Sequence, residues 1–521
     1  MKNMKALEIL KKIQLEDSRQ VGDLTVAKVS KDKLAEVATV LAIELDLPLS
    51  SMYATDDRSS EKGFKLHAVF SLDESHEWLE LEALVPENDL RYPSVTATVM
   101  AAHWYERYLH DMFGIEPVGH PDLRRLVSHE NVPLGTYPLR KDFAWNAKMD
   151  HANVPYPMGH VEGEGIYEIP VGPIHAGIIE PGHFRFNVAG ERIITLEGKL
   201  FFTHKGVEKL LEGKSPSEGL PFIERLSGDC AAAHAHAYCE ALEKIAGTKV
   251  PARAQAIRTL VSELERLTMH IHDLSNIGGM GTGFSFIAAN GFRVKERLQR
   301  LSAEVLGNRF WRGMIVPGGV AKDLDAGQLK MIKEVARAAF AEVDDIFDVA
   351  FSSEGFLDRL QNTGVLPLEA AKAFGAVGLP ARASGVDRDV RRDHAYGAYQ
   401  EHPVKVIVRN SGDVCARYLA RFEELQETIR LIEELADQLP AGEIKVACEP
   451  KDGYAIGAVE SWRGEIVCAL RLKDGKIDRC FPRDPSFCNW ATFAIIGPGN
   501  IVPDFPLCNK SLNLSYSGTD M

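Results

Sequence analysis

The sequence lacks the features on which several common functions depend. No run of about 18 apolar residues occurs, so no segment reads as a transmembrane helix. Basic residues are the minority, 60 Lys and Arg against 74 Asp and Glu. The resulting formal charge of -14 excludes a global nucleic-acid footprint. The eight cysteines never form a Cys-x-x-Cys pair, which argues against a zinc ribbon or a chain-borne iron–sulfur cluster. The opening stretch MKNMKALEILKKIQLED has no apolar signal core, so a secreted disulfide framework is not expected either. No Gly-x-Gly-x-x-Gly follows a strand; the Gly-x-Gly of GGMGTGF (278–284) follows a helical pattern. Internal repeats and low-complexity tracts are absent.

What is present is a globular composition, with 45% hydrophobic and 26% charged residues over 521 positions, enough for two or about three domains. Residues 1–145 read as α/β. Helical spacing covers Lys33–Leu45 and Thr96–Met112, and strands are predicted over Phe64–Leu72 and Trp78–Val85. Residues 146–166 are polar and rich in Pro and Gly, a linker. Strand-like runs Phe184–Val188 and Arg192–Leu196 open the remainder, 167–521. Long helical patterns then follow near 230–245, 251–274, 286–306, 329–350 and 413–438, and a strand covers Glu465–Leu472. The expected fold class is α+β: a small N-terminal α/β domain fused to a large, mainly helical domain with short sheets.

Two blocks are specific. WYERYLHDMFGIEPVGHPDLRRL (104–126) and PLRKDF (138–143) resemble the signature of the C-type (30 kDa) component of NADH-quinone oxidoreductase, respiratory complex I, with Tyr108 where that family usually has a second acidic residue. This block reads as a docking surface built on buried Arg–carboxylate pairs. The second set comprises GPIHAGIIEPGHFRF (172–186), THKGVEKLLEG (203–213), VPARAQAIRTLVSELERLTMHI (250–271), GGVAKDL (318–324), RASGVDRDVRRD (382–393), ESWRGE (460–465) and DPSFCNW (484–490). It resembles the D-type (49 kDa) component of the same complex and the large subunit of group 4 nickel–iron hydrogenases. The order is that of a protein in which the C and D types are fused, with a hydrogenase large-subunit-like fold.

The resemblance implies four metal-binding thiolate positions. Here they hold Ser227, Cys230, Ser486 and Asn489, and Cys488 lies between the last two and should point elsewhere. One thiolate in four does not reproduce that soft-ligand site, so no nickel and no other metal is expected. His234 and His236, like His270 and His272, stand two apart on a helix and face different ways. The family's quinone tyrosine falls on Gly228, the N-terminal hairpin is several residues longer, and His175 and His183 are the candidates for its histidine.

A polar chamber remains. Its expected catalytic, proton-handling members are His175, Glu180, His183, Asp229 and His234, and its binding members are Ser227, Cys230, Arg382, Asp387, Ser486 and Asn489. Arg382 and Asp387 also read as a core ion pair, and Glu208 as a helix ion-pair residue. The resemblance implies a peripheral-arm subunit of a membrane-associated oxidoreductase, on the inner face of the cell membrane and active only in a complex. No cofactor is expected in this chain; quinone is a candidate substrate, and NAD(H) and iron–sulfur clusters would sit on partners. Those partners would be a B-type iron–sulfur protein similar to the hydrogenase small subunit, an I-type ferredoxin-like protein and membrane-arm subunits, with no nucleic acid. The alternatives are a functional nickel–iron hydrogenase large subunit and a non-catalytic scaffold coupling redox chemistry to an ion-pumping membrane arm.

Overall fold

The computed structural model describes residues 5–15, 17–175 and 179–521; the tip 176–178 of the GPIHAGIIEPGHFRF motif lies outside them. Near the N-terminus a five-stranded sheet is formed by β1 (Ser18–Val21), β2 (Leu24–Lys28), β3 (Leu49–Asp56), β4 (Gly63–Leu72) and β5 (Glu77–Pro86). The order is β1-β2-β5-β4-β3, antiparallel except for the parallel β2–β5 pair. Helix α1 (His103–Phe113) packs against β3 and ends at Gly114, which takes the left-handed conformation at φ 73.

The helix expected over 96–112 starts seven residues late, at His103 after a single 3-10 turn. The cause is Glu106. Its buried carboxylate takes the Ser94 hydroxyl at 2.6 Å and the Val95 and Thr96 N–H groups at 2.8 and 3.0 Å, which holds that stretch as a loop. Asp111 plays the same part further on, accepting from the N–H groups of Leu126, Val127 and Ser128 at 2.8, 2.8 and 3.0 Å. Arg107 donates to the carbonyls of Arg124 and Arg125, and the nearest carboxylate, Asp122, stands 3.9 Å from it. The expected Arg–carboxylate pairing holds at Arg124, which forks onto Asp122 at 2.7 and 2.8 Å in a half-buried place, while Glu106, Asp111 and Arg107 grip loop backbone. Residues 147–165 form neither helix nor strand, and they lie against the same loops through Ala152 N–H to Asn131 O and Val154 N–H to Glu130 O.

A second sheet comprises β6 (Ile166–Val171), β7 (His183–Ala189) and β8 (Arg192–Lys199), and a third comprises β9 (Gly453–Glu460), β10 (Glu465–Lys473) and β11 (Lys476–Arg483), all antiparallel. Five long helices carry most of the rest: α2 (Ala231–Ala246), α3 (Ala252–Asn276), α4 (Ser285–Leu306), α5 (Ala326–Phe351) and α6 (Val414–Asp437). Side chains set where α5 and α6 start. Asp325 and Asp413 accept from Gln328 and Ala416 N–H at 2.8 Å, as N-cap residues do. Helix α3 is the axis, packed by α4 and α6. Helix α2 lies on β9 and β10, and so closely that a Cβ at Gly457 would sit 2.0 Å from the Ala237 carbonyl. No described helix is long and apolar enough to cross a membrane.

The N-terminal sheet and α1 join the remainder through buried contacts. The Tyr108 hydroxyl donates to Glu208, whose other carboxylate oxygen pairs with Arg479 of β11. The expected helix ion pair at Glu208 is thus a buried joint between distant parts of the chain. Around it Tyr105 and Tyr108 pack on Phe481 and Phe487 with ring centroids 4.9–6.4 Å apart.

Asp111→Ala removes one acceptor from three buried N–H groups. It should cost about 3 kcal/mol of stability, read as a lower denaturation midpoint with an unchanged slope in urea. A change within about 0.5 kcal/mol would show that the loop does not need the carboxylate.

Candidate functional site

The site lies where the N-terminus of α2, the short helix Pro485–Asn489 and the C-terminal turn Tyr516–Asp520 converge. Ser227 is buried. Its hydroxyl donates to Asp229 at 2.7 Å and meets the Ser515 hydroxyl at 2.9 Å. Arg463 forks onto Asp229, with Nη1 to Oδ1 at 2.8 Å and Nη2 to Oδ2 at 2.7 Å. Burial pushes the Asp229 carboxyl up, but the Arg463 guanidinium outweighs burial and leaves it well below the usual carboxylate range. One helical turn on, His234 Nε2 meets Asp484 Oδ2 at 3.0 Å, with both side chains sealed from solvent. Asp484 also caps its own helix, accepting from Ser486 N–H at 2.7 Å. Burial pushes its carboxyl up, but the bond to His234 and the charge of Arg463 leave it below its ordinary range.

The four positions that the resemblance reserves for thiolates are all present, and each donor is already committed or unsuited. The Ser227 hydroxyl belongs to Asp229 and Ser515. Ser486 Oγ accepts from Ser515 N–H at 2.9 Å. The Asn489 amide closes on the backbone of Val377, accepting at 3.0 Å and donating at 3.1 Å. Cys230 is fully buried, and burial with the nearby Glu265 and Asp484 carboxylates holds its thiol well above its ordinary range, in the neutral form. A metal-binding thiolate needs the opposite. This donor set does not fit a nickel–iron centre. Cys488 points away, as expected, with Sγ 3.3 Å from the Tyr105 hydroxyl.

The hairpin residues divide. Glu180 reaches the site, accepting from Ser517 N–H at 2.9 Å. The Ser517 hydroxyl lies 3.5 Å from that of Ser515, which meets Ser227, so three hydroxyls lead from Ser517, whose N–H holds Glu180, to Asp229. Lys205 lies beside this row, donating to Ser517 O at 2.7 Å, and its ammonium is destabilised by burial against the pull of Asp520, Glu180 and Asp484. His175 and His183 turn to the hairpin itself: Nε2 of His175 meets Gly182 O at 2.8 Å, and Nδ1 of His183 meets Gly172 O at 3.1 Å.

Two expected members lie elsewhere. Arg382 is buried one layer away, bonded to Glu460 at 2.6 Å and Glu424 at 2.8 Å. Asp387 is a correction: its side chain is 64% exposed and pairs with Arg392 on the surface. A third buried carboxylate beside Arg382 is Asp389, at 3.5 Å, placed inward because it caps the short helix Val390–Asp393. His270 and His272 also separate, toward Glu424 and Lys295 respectively.

Sequence reasoning does not single out Arg463, Asp484, Ser515 or Glu265. Arg463 and Asp484 lie inside the motifs ESWRGE and DPSFCNW, which carry the signal that could find them. Ser515 and Glu265 carry no local signal, because their roles are tertiary. Glu265, on α3, caps a different helix: it accepts from the Ala232 and Ala233 N–H groups at 2.8 and 3.2 Å, at the start of α2. Burial pushes its carboxyl up to about 8, against those two hydrogen bonds.

Three family models match the chain: the 49 Kd subunit of respiratory-chain NADH dehydrogenase over residues 281–452, its 30 Kd subunit over 27–149, and nickel-dependent hydrogenase over 205–276. Formate hydrogenlyase subunit 5 of Escherichia coli is 34% identical, covering 98% of this chain and 91% of its own. Hydrogenase-4 component G of the same organism is 32% identical over 97% and 90%. The C/D subunit of NADH-quinone oxidoreductase from Bdellovibrio bacteriovorus is 27% identical over 89% of each.

Glu265 yields a pH-dependent prediction. Unfolded, it ionises near its ordinary 4.5; folded, it keeps its proton to about 8. The folded state binds the extra proton between those values, so this group's contribution to stability declines as pH rises through that window. Glu265→Gln keeps an acceptor for the helix and cannot ionise. Its Tm relative to the parent should therefore rise steadily between ~pH 5 and ~pH 8; parallel curves would mean that Glu265 does not titrate there.

Proposed function

Because the chain belongs to the family that unites fused C/D subunits of NADH-quinone oxidoreductase with the matching subunits of formate hydrogenlyase and hydrogenase-4, we propose that it is a peripheral-arm subunit of a membrane-associated oxidoreductase, one that handles protons at a metal-free site. In this reading residues 1–145 and 167–521 are two units joined by the linker 146–166. Iron–sulfur clusters and any NAD(H) chemistry belong to partners, namely a B-type iron–sulfur protein and an I-type ferredoxin-like protein, with membrane-arm subunits beneath them. The complex sits on the inner face of the cell membrane.

The observation that carries this reading is the hydroxyl row Ser517–Ser515–Ser227, which ends on Asp229, with Glu180 beside its outer end on the Ser517 backbone N–H. Hydroxyls both donate and accept, so such a row passes a proton by each group handing one on and taking one up. Arg463 holds Asp229 ionised, a hydrogen-bond acceptor that orients the Ser227 hydroxyl, and the His234–Asp484 pair offers a base and acid under the same cover. Quinone, or a related acceptor on a partner, is the proposed electron sink. A second reading, the scaffold, is favoured by the Asn489–Val377 closure, which spends a former ligand position on holding two backbone segments together.

Turnover of the purified membrane complex separates these readings. Glu180→Gln and Ser515→Ala should each slow it about a hundredfold, the usual cost of losing a proton carrier, with assembly intact. Normal rates in both variants would remove the catalytic reading and leave the scaffold. Elemental analysis of the same complex should find no nickel; about one nickel per chain would revive the hydrogenase.

A further inference from the structure

The open side of the site is bordered by cations that have no carboxylate of their own. Asp229 is 30% exposed there, and Arg463 already holds it. Beside it, Arg312 donates to the Gly228 carbonyl at 3.1 Å. Lys295 of α4 stands 3.2 Å from Nδ1 of His272 on α3. Lys510, on the helix Phe505–Leu512, acts on the same imidazole. Burial, with the charges of Lys295, Arg463 and Lys510, pushes that ring down to about 3 against the pull of Asp229, so it adds no charge near neutral pH. Lys295, Lys510 and Arg312 are half-buried, and none forms an ion pair among the described residues. Burial holds both ammonium groups below their ordinary range, against Asp229 and Asp273 for Lys295 and against Asp273 for Lys510.

The carboxylates nearby are spent. Asp273 is buried on Arg421 at 2.8 Å. Glu296 of α4 serves two guanidiniums, those of Arg300 and Arg309. Glu224 is buried and takes the Gly313 N–H at 2.6 Å. Glu304 stands exposed two turns further along α4. The far edge of α4 differs: Arg293 and Arg297 meet Glu342 of α5 there, and Asp344, Asp345 and Asp348 of α5 are exposed. The positive excess therefore lies on the side of α4 that borders the site.

Apolar side chains flank these cations. The Phe292 ring lies 5.5 Å from His272 and is 37% exposed. Met280, in the turn Ile277–Gly281 that packs on Phe505–Leu512, is 61% exposed. Aromatic and Met side chains among Arg groups are what protein interfaces are enriched in. On a chain of formal charge -14, a local excess of this kind complements an acidic partner. Lipid headgroups and nucleic acid spread their phosphates over a broad surface and suit exposed cations. Lys295 and Lys510 are recessed, which suits carboxylates carried on side chains.

We propose that this face docks an acidic segment of a neighbouring subunit, with its carboxylates on Lys295, Lys510 and Arg312 and an apolar side chain against Phe292 and Met280. The proposal rests on the reading that the chain works within a complex. Docking covers the open side of Asp229, so the site loses its contact with water only in the assembly, where its ion pairs strengthen.

The test uses the purified membrane complex and a water-soluble carbodiimide, which joins an ammonium to a carboxylate in contact with it as an amide, the carboxylate oxygen leaving with the reagent as a urea. Mass spectrometry should find Lys295 or Lys510 joined to Asp or Glu in one short segment of another subunit. The Lys141–Glu212 pair, 3.0 Å apart within the chain, is the internal control. Acetylation of the two lysines by an activated ester should be at least about tenfold slower in the complex than in the free chain. Lys295→Glu combined with Lys510→Glu should weaken association at least about tenfold, read as release at lower salt; if that variant does not fold, the two measurements on the unaltered protein decide. Cross-linking of the control pair but of neither lysine, equal acetylation in complex and free chain, or protection that phospholipase removes while the subunits stay together would each overturn the proposal. A chain that purifies alone removes the complex reading as well, whereas a complex with both lysines open to acetylation removes the docking face only.

Discussion

The architecture of the site rests on one turn and the charges it carries. Between β9 and β10, residues Glu460–Glu465 present a carboxylate, a guanidinium and a second carboxylate within six positions. Each finds its opposite on another element: Glu460 on Arg382, Arg463 on Asp229, Glu465 on Arg483. Arg266 of α3 adds bonds to the carbonyls of Glu460 and Ser461 at 2.7 and 2.9 Å. Isolated charges are expensive to bury, and paired ones become so as soon as a partner is lost. The turn therefore fixes the α2 N-terminus, the Arg382 layer and the end of β11 relative to one another. Gly464 makes the approach feasible: its φ is +139, and a Cβ there would lie 2.7 Å from the Cα of Gly378.

The N-terminal part contributes to the same geometry from outside. Tyr105 and Tyr108 of α1 press on Phe481 and Phe487, and Phe487 lies in the helix that carries Ser486 and Asn489. Position along that helix decides which groups face the site. Ser486 turns in to meet Ser515, while Cys488 turns out to Tyr105. The N-terminal part thus acts as a clamp on the floor of a site to which its described residues give no chemical group.

Much of this is legible in the sequence, for reasons that differ by element. The five long helices show because their apolar periodicity runs for many turns, and β4, β5 and β10 because they alternate or run apolar. Strand β3 does not show: LSSMYATD is buried along its whole length yet reads as polar, its hydroxyls lying inside the fold. In the site, residues tied by motif spacing are readable as a group, and Ser227, Asp229, Cys230, His234 and Ser486 do come together. Asp387 and Asp389 stand two apart in a run of charges, and only the short helix that Asp389 caps decides which one is buried. Glu265 and Ser515 work on elements far from their own sequence neighbours, where no local pattern reports them.

The Asn489 amide has a consequence for any attempt to install a metal ligand set at this site. A side-chain amide that both accepts from and donates to one residue's backbone is a small piece of sheet pairing, and cysteine cannot replace it. Placing one thiolate there would break two buried hydrogen bonds and still leave Ser227 and Ser486 bound to their serine and carboxylate partners. Each single step toward a metal ligand set is thus penalised before any metal can bind. The contacts already in place thus oppose a metal ligand set here as much as the shortage of sulfur does.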